Sequence, residues 1–318
     1  MTLLDSFFQG DTRSLARLIS HVENLDPDYQ RLMGQLYPHA GHSLRIGITG
    51  PPGSGKSTIV NLLAHLYLSA LKKIGIIAVD PTSPFTGGAL LGDRVRMNEF
   101  PFDGSIYFRS MATRGATGGL AAATDNVTLL YDAFGFDITI IETVGVGQVE
   151  LDIIDSCDTV VVVIVPESGD AVQTMKAGLM EIADIFCVNK SDRPGSERVA
   201  AELQQAMDVR KKQVGGWPVP VISTEAINKK NIDRLYAGIA DHVAFNQANG
   251  HFEKHRRDQI ARKVLMILKN RFQRDFLDSL AAAPEFDRMV EEIIAGRANP
   301  YDAGETLYLQ FQSQSHPR

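Results

Sequence analysis

The chain has 318 residues, 44% of them hydrophobic and 22% charged, with a formal net charge of −6. That is enough for one large α/β domain with helical additions, and the acidic balance lacks the basic footprint of a nucleic-acid binder. The longest apolar run, residues 160–165, is far too short to span a bilayer.

The first residues carry no basic stretch ahead of their apolar side chains, and Asp5 interrupts them, so no secretory signal is expected. The two cysteines, Cys157 and Cys187, each adjoin an apolar run and read as small core residues in a reducing compartment. A cytoplasmic location follows as the expectation. Residues 1–43 read as a helical extension. Asp11 or Thr12 can cap a helix with Leu15, Leu18, Ile19 and Val22 on one face, and residues 29–36 form another before Pro38.

From Leu44 the pattern alternates strand and helix. Residues 44–49 are mostly apolar, and Ile59, Leu62, Leu63, Leu66 and Tyr67 repeat at helical spacing. Between them stands Gly50-Pro51-Pro52-Gly53-Ser54-Gly55-Lys56-Ser57, followed by Thr58, which is the GxxxxGK[ST] phosphate loop in its strand–loop–helix context. Its glycines let backbone N–H groups converge on an anion at a helix N-terminus. Lys56 would neutralise the β- and γ-phosphates, and the Ser57 hydroxyl would hold Mg²⁺. Further strands are predicted at residues 74–79, 105–109, 137–141, 159–165, 185–188 and 219–222, with helices at 121–134, 171–183 and 197–207. Continuous apolar strands alternating with helices predict a doubly wound, mostly parallel sheet, with ligands at the strands' carboxyl ends.

Most polar signals fall at those ends. Asp80 closes one strand, Asp93 lies in a run after a glycine-containing loop, and Glu142 closes another strand where a magnesium-associated carboxylate belongs. Mg²⁺ takes few carboxylates, so some of these three bind through water or in one nucleotide state only. Gly145 allows backbone approach to the γ-phosphate, and Gly147 and Gln148 extend the same segment. Gln148 reads either as a water-positioning group or as an ordinary loop glutamine. Asn189-Lys190-Ser191-Asp192 matches NKxD after a strand: the Asp192 carboxylate would accept from the guanine ring N–H and exocyclic amine, Asn189 would support the pocket, and the Lys190 stem would cover the base. Ser223, Thr224 and Glu225 follow the next strand, where a last base-contacting loop belongs. Together these make the nucleotide GTP or GDP and the activity GTP hydrolysis.

Beyond about residue 242 the strands stop. Residues 258–277 read as a long amphipathic helix with Ile260, Val264, Leu268, Phe272 and Phe276 four apart, and one more helix follows at 286–295. Such a stripe is buried on the body or on a second chain, and a dimer is the favoured reading. The chain thus divides into a helical extension (1–43), a P-loop GTPase domain (44–245) and a helical C-terminal dimerisation arm (246–318).

The runs 79–84 and 86–94, with Glu142-Thr143-Val144-Gly145-Val146-Gly147-Gln148, resemble the MeaB/ArgK/MMAA group of P-loop GTPases over nearly the whole chain. The resemblance implies a homodimeric, Mg²⁺-dependent GTPase chaperone that gates adenosylcobalamin loading and protection of methylmalonyl-CoA mutase or a related mutase. A cobalamin adenosyltransferase is a further candidate partner, with no nucleic acid and no membrane involved. It assigns Lys56 and Ser57 to phosphate and metal, Asp80, Asp93 and Glu142 to the metal region, and Asn189, Lys190 and Asp192 to guanine. It also implies a third switch, with Asp170, Gln173 and Lys176 at its polar positions. Asn231 departs from the group, standing where relatives often carry glycine, and the loop from Arg109 to Gly119 is unusual in detail.

Two other functions compete. Nickel-enzyme maturation by a metallochaperone GTPase would call for Cys/His ligands, but Cys157 and Cys187 lie apart and the eight histidines form no ligand-spaced motif. A kinase or ATPase linked to amino-acid transport would need a base for its substrate, and none is identifiable.

Overall fold

The computed structural model describes residues 2–24, 26, 28–80, 103–112, 119–143, 154, 156–166, 179–214, 216–281 and 284–315. The chain separates into two compact units, Met1–Lys254 and His255–Arg318.

In the first unit, strands β1 (Leu44–Thr49), β2 (Ile74–Asp80), β3 (Ile106–Ala112), β4 (Ile138–Thr143), β5 (Thr159–Ile164), β6 (Ile185–Val188) and β7 (Val221–Ser223) form one sheet. Their order is β3-β2-β4-β1-β5-β6-β7, and every pairing is parallel. Strands β4 and β5 are buried at every position, as continuous apolar runs in a two-sided parallel sheet must be. β1 lies between β4 and β5, so the chain passes from one side of β1 to the other, and a crevice opens at the carboxyl end there.

Helices cover both faces. One face packs α4 (Lys56–Ser69) and α8 (Ile232–Ala248) on Ile46, Ile48, Ile76, Ile140 and Val161. The other packs α5 (Gly119–Phe134) and α7 (Ser196–Val214) with the N-terminal helices α1 (Leu3–Phe8), α2 (Thr12–Glu23) and α3 (Tyr29–Leu36). Asp11 caps α2, accepting from the Ser14 N–H at 2.9 Å, and the predicted face Leu15, Leu18, Ile19 and Val22 is wholly buried. The extension is fastened to α5 by the buried Asp132 carboxylate, which accepts from the N–H groups of Gly41 (2.7 Å), His42 (3.0 Å) and Ser43 (3.0 Å). The strand predicted over 105–109 runs on past Arg109 as β3, to Ala112, and the Arg109 guanidinium pairs with Glu23 at the end of α2. Of the predicted helix at 171–183, only the turn α6 (Leu179–Ile182) falls among the described residues.

α9 (His251–Ala281) carries the chain from the first unit into the second, which also contains α10 (Pro284–Ile294) and α11 (Pro300–Ser315). Phe311 of α11 meets Phe272 and Phe276 of α9 edge-on, at 5.5 and 5.0 Å between ring centroids. α11 was not foreseen, because its apolar residues are diluted by Gln and Ser. Ile260, Val264, Leu268 and Phe272 stay exposed, Leu268 by 57%. Among the described residues no helix is long and apolar enough to cross a membrane.

Candidate functional site

The phosphate loop leaves the carboxyl end of β1 and enters α4 at Lys56. Gly50 and Gly55 have φ of 138° and 93°, values that L side chains rarely adopt. A Cβ at Gly50 would strike the Val163 carbonyl, and one at Gly55 would strike the Asn189 amide. These two positions therefore let the loop lie flat on β5 and against the NKxD turn. Gly55 is the N-cap residue of α4, and no side chain caps that helix, so the loop delivers the chain to a helix N-terminus of the kind that suits an anion.

Lys56 is 5% exposed, and its ammonium donates to the carbonyls of Gly50 (2.8 Å) and Pro51 (2.9 Å). Burial pushes its pKa down to about 8, against a smaller opposing pull from Glu142. The Ser57 hydroxyl donates to Glu142 Oε1. Glu142 lies in β4, opposite Ile48 of β1 and Ala78 of β2, and the Thr143 hydroxyl donates to that of Thr49 at 2.9 Å. The pairing of parallel strands thus places a phosphate-loop hydroxyl and a strand-end carboxylate side by side. Asp80 ends β2, the strand next to β4. Its side chain lies outside the described residues, as do Asp93, Gly145, Gly147, Gln148, Asp170, Gln173 and Lys176.

On the other side of β1, Asn189 follows β6 and is 3% exposed. Its amide donates to the Ser54 carbonyl at 2.8 Å, and its oxygen accepts from the Thr224 hydroxyl (3.2 Å) and the Ala226 N–H (3.1 Å). One side chain therefore ties together the phosphate loop, the turn after β6 and the loop after β7. Lys190 takes the left-handed conformation at φ 57°, Ser191 N–H donates to the Thr224 carbonyl (3.0 Å), and Asp192 is exposed. The Thr224 hydroxyl is fully buried against Asn189 and Cys187, so its side chain serves the interior. Cys187 is buried and its thiol is pushed up to about 12, a neutral core group; Cys157 is buried as well. Glu225 turns its carboxylate to Lys230 and Asn228.

Asn231, the departure noted in the sequence, has φ 61°, a conformation that favours glycine and that asparagine tolerates better than most residues. Its amide also donates to the Ser223 carbonyl at 2.8 Å, a bond that glycine could not make. Neither this nor the Asp132 clamp was visible in the sequence, since their partners lie in other elements.

Neighbouring strands are roughly 4.8 Å apart, so β6 lies about 10 Å from β1 across β5, and the Asn189 side chain bridges that gap to the phosphate loop. Acids lie on the β4/β2 side and the NKxD turn on the β6/β7 side. A phosphate loop at the centre of an all-parallel sheet, flanked in this way, defines a P-loop GTPase. The sequence profile of the methylmalonyl-CoA mutase-associated GTPase MeaB matches residues 15–281, and the chain belongs to that family. It is 42% identical over 307 residues to a Pyrococcus abyssi protein named as a GTPase, covering 96% of this chain and 94% of that one. It is 33% identical over 298 residues to the GTPase ArgK of Escherichia coli, covering 92% and 89%. A crystal structure named as the LAO/AO transport system kinase superposes with a TM-score of 0.70 at 24% identity, covering 98% of this chain and 96% of that one, a likeness of fold.

Proposed function

We propose that this GTPase binds GTP across the sheet edge, hydrolyses it, and uses the difference between GTP and GDP to gate adenosylcobalamin loading of a methylmalonyl-CoA mutase-type enzyme. The observation that carries the nucleotide reading is Asn189, whose buried amide joins the phosphate loop to the turn bearing Asp192. Phosphate and base would thereby be held at a set separation. The α4 N–H groups and Lys56 take the phosphates, Asp192 reads the guanine edge, and the Lys190 stem covers the ring. Ser223, Thr224 and Glu225 line the loop beyond the base.

The paired Ser57 hydroxyl and Glu142 carboxylate form a hard-oxygen donor set suited to Mg²⁺. They would hold it, with Asp80 and Asp93 as further oxygens. Bound there, Mg²⁺ would supply charge neutralisation between the β- and γ-phosphates. Lys56 neutralises phosphate charge as well, and its two carbonyl bonds aim the ammonium. Gln148 is proposed to position the attacking water. Gly145, Gly147, Asp170, Gln173 and Lys176 are proposed to carry the nucleotide state to the client. The mutase client is drawn from the family's name. The proposed domains are residues 1–43, 44–245 and 246–318, with the exposed stripe Ile260, Val264, Leu268 and Phe272 covered by a second copy in a homodimer.

The test is a nucleotide panel with and without an adenosylcobalamin-dependent mutase. GTP should turn over in preference to ATP, faster when the mutase is present, and Asp192→Asn should shift preference toward XTP. Equal use of GTP and ATP would sink the guanine assignment. Absence of both complex and rate change with the mutase, in either nucleotide state, would sink the client.

A further inference from the structure

Between β7 and α8 the chain forms a tight hairpin. Glu225 and Lys230 pair as an antiparallel bridge, with N–H···O bonds of 3.2 and 3.1 Å in the two directions. Lys229 and Asn231 hold φ of 56° and 61°, and Asn231 fastens the base of the hairpin to the Ser223 carbonyl. Side chains repeat the backbone pairing: Lys230 Nζ donates to Glu225 Oε1 at 2.6 Å, and Asn228 donates to Glu225 Oε2 at 3.3 Å. The Glu225 side chain is 14% exposed and that of Lys230 61%.

Ser191, the residue before Asp192, also hydrogen-bonds the Glu225 carboxylate, and Asp192 lies close enough to stabilise the Lys230 ammonium. Two carboxylates, Asp192 and Glu225, therefore share the base-side loops, and Lys230 pairs directly with the second of them. Guanine offers a carboxylate two adjacent donors, flanked by an acceptor oxygen. A second bare carboxylate there would repel that oxygen and the ligand's phosphates, and would compete with Asp192 for the donors.

We propose that Lys230 is a positioning residue for guanine specificity: by neutralising Glu225 it leaves Asp192 to meet the base edge without a competing anion. The proposal rests on the guanine reading above. The Glu225 carboxyl is held below its usual range first by the Lys230 bond and then by Asn228, and Lys230 is raised first by Glu225. Both shifts match mutual pairing.

The experiment measures GTP and ITP affinity, ITP lacking the exocyclic amine, for wild type, Lys230→Met, Lys230→Arg, Lys230→Met/Glu225→Gln and Asp192→Asn. Lys230→Met should weaken GTP about two- to fivefold, the range for a solvent-accessible pair, and narrow the GTP-over-ITP preference by a similar factor. The loss should fall on KM more than on kcat and shrink at high salt. Lys230→Arg should keep the wild-type preference, and adding Glu225→Gln should restore most of what Lys230→Met loses. A Lys230→Met protein with the wild-type preference, or a double variant no better than Lys230→Met, overturns the proposal. If Asp192→Asn abolishes the preference while Lys230→Met leaves it intact, this inference alone fails. If wild type shows no preference, the guanine reading fails with it.

Discussion

Lys56 gives a quantitative handle on the phosphate loop. An ordinary lysine titrates at 10.5; burial brings this one to about 8. In the nucleotide-free protein at pH 8, about half the molecules then carry a neutral Lys56, rising to about nine in ten at pH 9. A bound triphosphate places negative charge beside the amine and restores its proton. GTP binding should therefore take up about half a proton at pH 8 and about 0.9 at pH 9, and the binding constant should fall up to about tenfold per pH unit above 8. Titration calorimetry in buffers of different ionisation enthalpy reads the uptake directly. Lys56→Arg, which stays charged, should bind more weakly with a flat profile over the same range.

The same shift has a consequence for stability. Because the folded pKa lies below the unfolded value, the unfolded chain binds more protons between pH 8 and 10.5, so stability rises with pH across that window. Below pH 8 the full penalty applies, at most about 3 kcal/mol, reduced in practice by relaxation around the ammonium. Nucleotide-free Lys56→Met should accordingly melt higher than wild type at pH 7 while losing GTP turnover. No proton uptake by wild type between pH 8 and 9, together with a pH-independent affinity, would refute the placement of a desolvated lysine at the phosphates.

Further outcomes follow from the packing and the latches. Asn189→Ala removes three buried hydrogen bonds and should cost about 2–4 kcal/mol in urea unfolding while raising the KM for GTP tenfold or more. At position 231, glycine accepts the backbone conformation and loses only the Ser223 bond, about 1 kcal/mol; valine adds strain in the left-handed region, so Asn231→Val should melt well below Asn231→Gly. Leu18→Ala empties a fully buried site between α2 and α5 and should destabilise the first unit by about 2–5 kcal/mol by chemical denaturation.

Much of this protein is written in local sequence. Apolar runs of strand length, separated by helical periodicity, determine a covered parallel sheet, because a strand buried on both faces has no polar side to show. The phosphate loop is legible because its task is done by consecutive backbone N–H groups, which one stretch of chain can supply by itself. Strand ends are less legible: the sequence predicts a strand ending at the charged Arg109, whereas β3 continues three residues further, to Ala112. The fold gives Arg109 an ion partner, Glu23 of α2, and so lets the strand run on past it.

Only the tertiary structure decided how the separate signals combine. Strand order puts β4 beside β1 and so brings Glu142 to Ser57, 85 residues away in the chain. It also sets β6 two strands from β1, within reach for the Asn189 amide to bond Ser54 across 135 residues. The Asn231 side chain makes sense only once the Ser223 carbonyl is seen beside it. Such bonds depend on which strands become neighbours, and that is settled by the burial of the whole sheet between two layers of helices. A motif can announce what each segment is able to bind; the packing of the sheet determines which segments bind the same molecule.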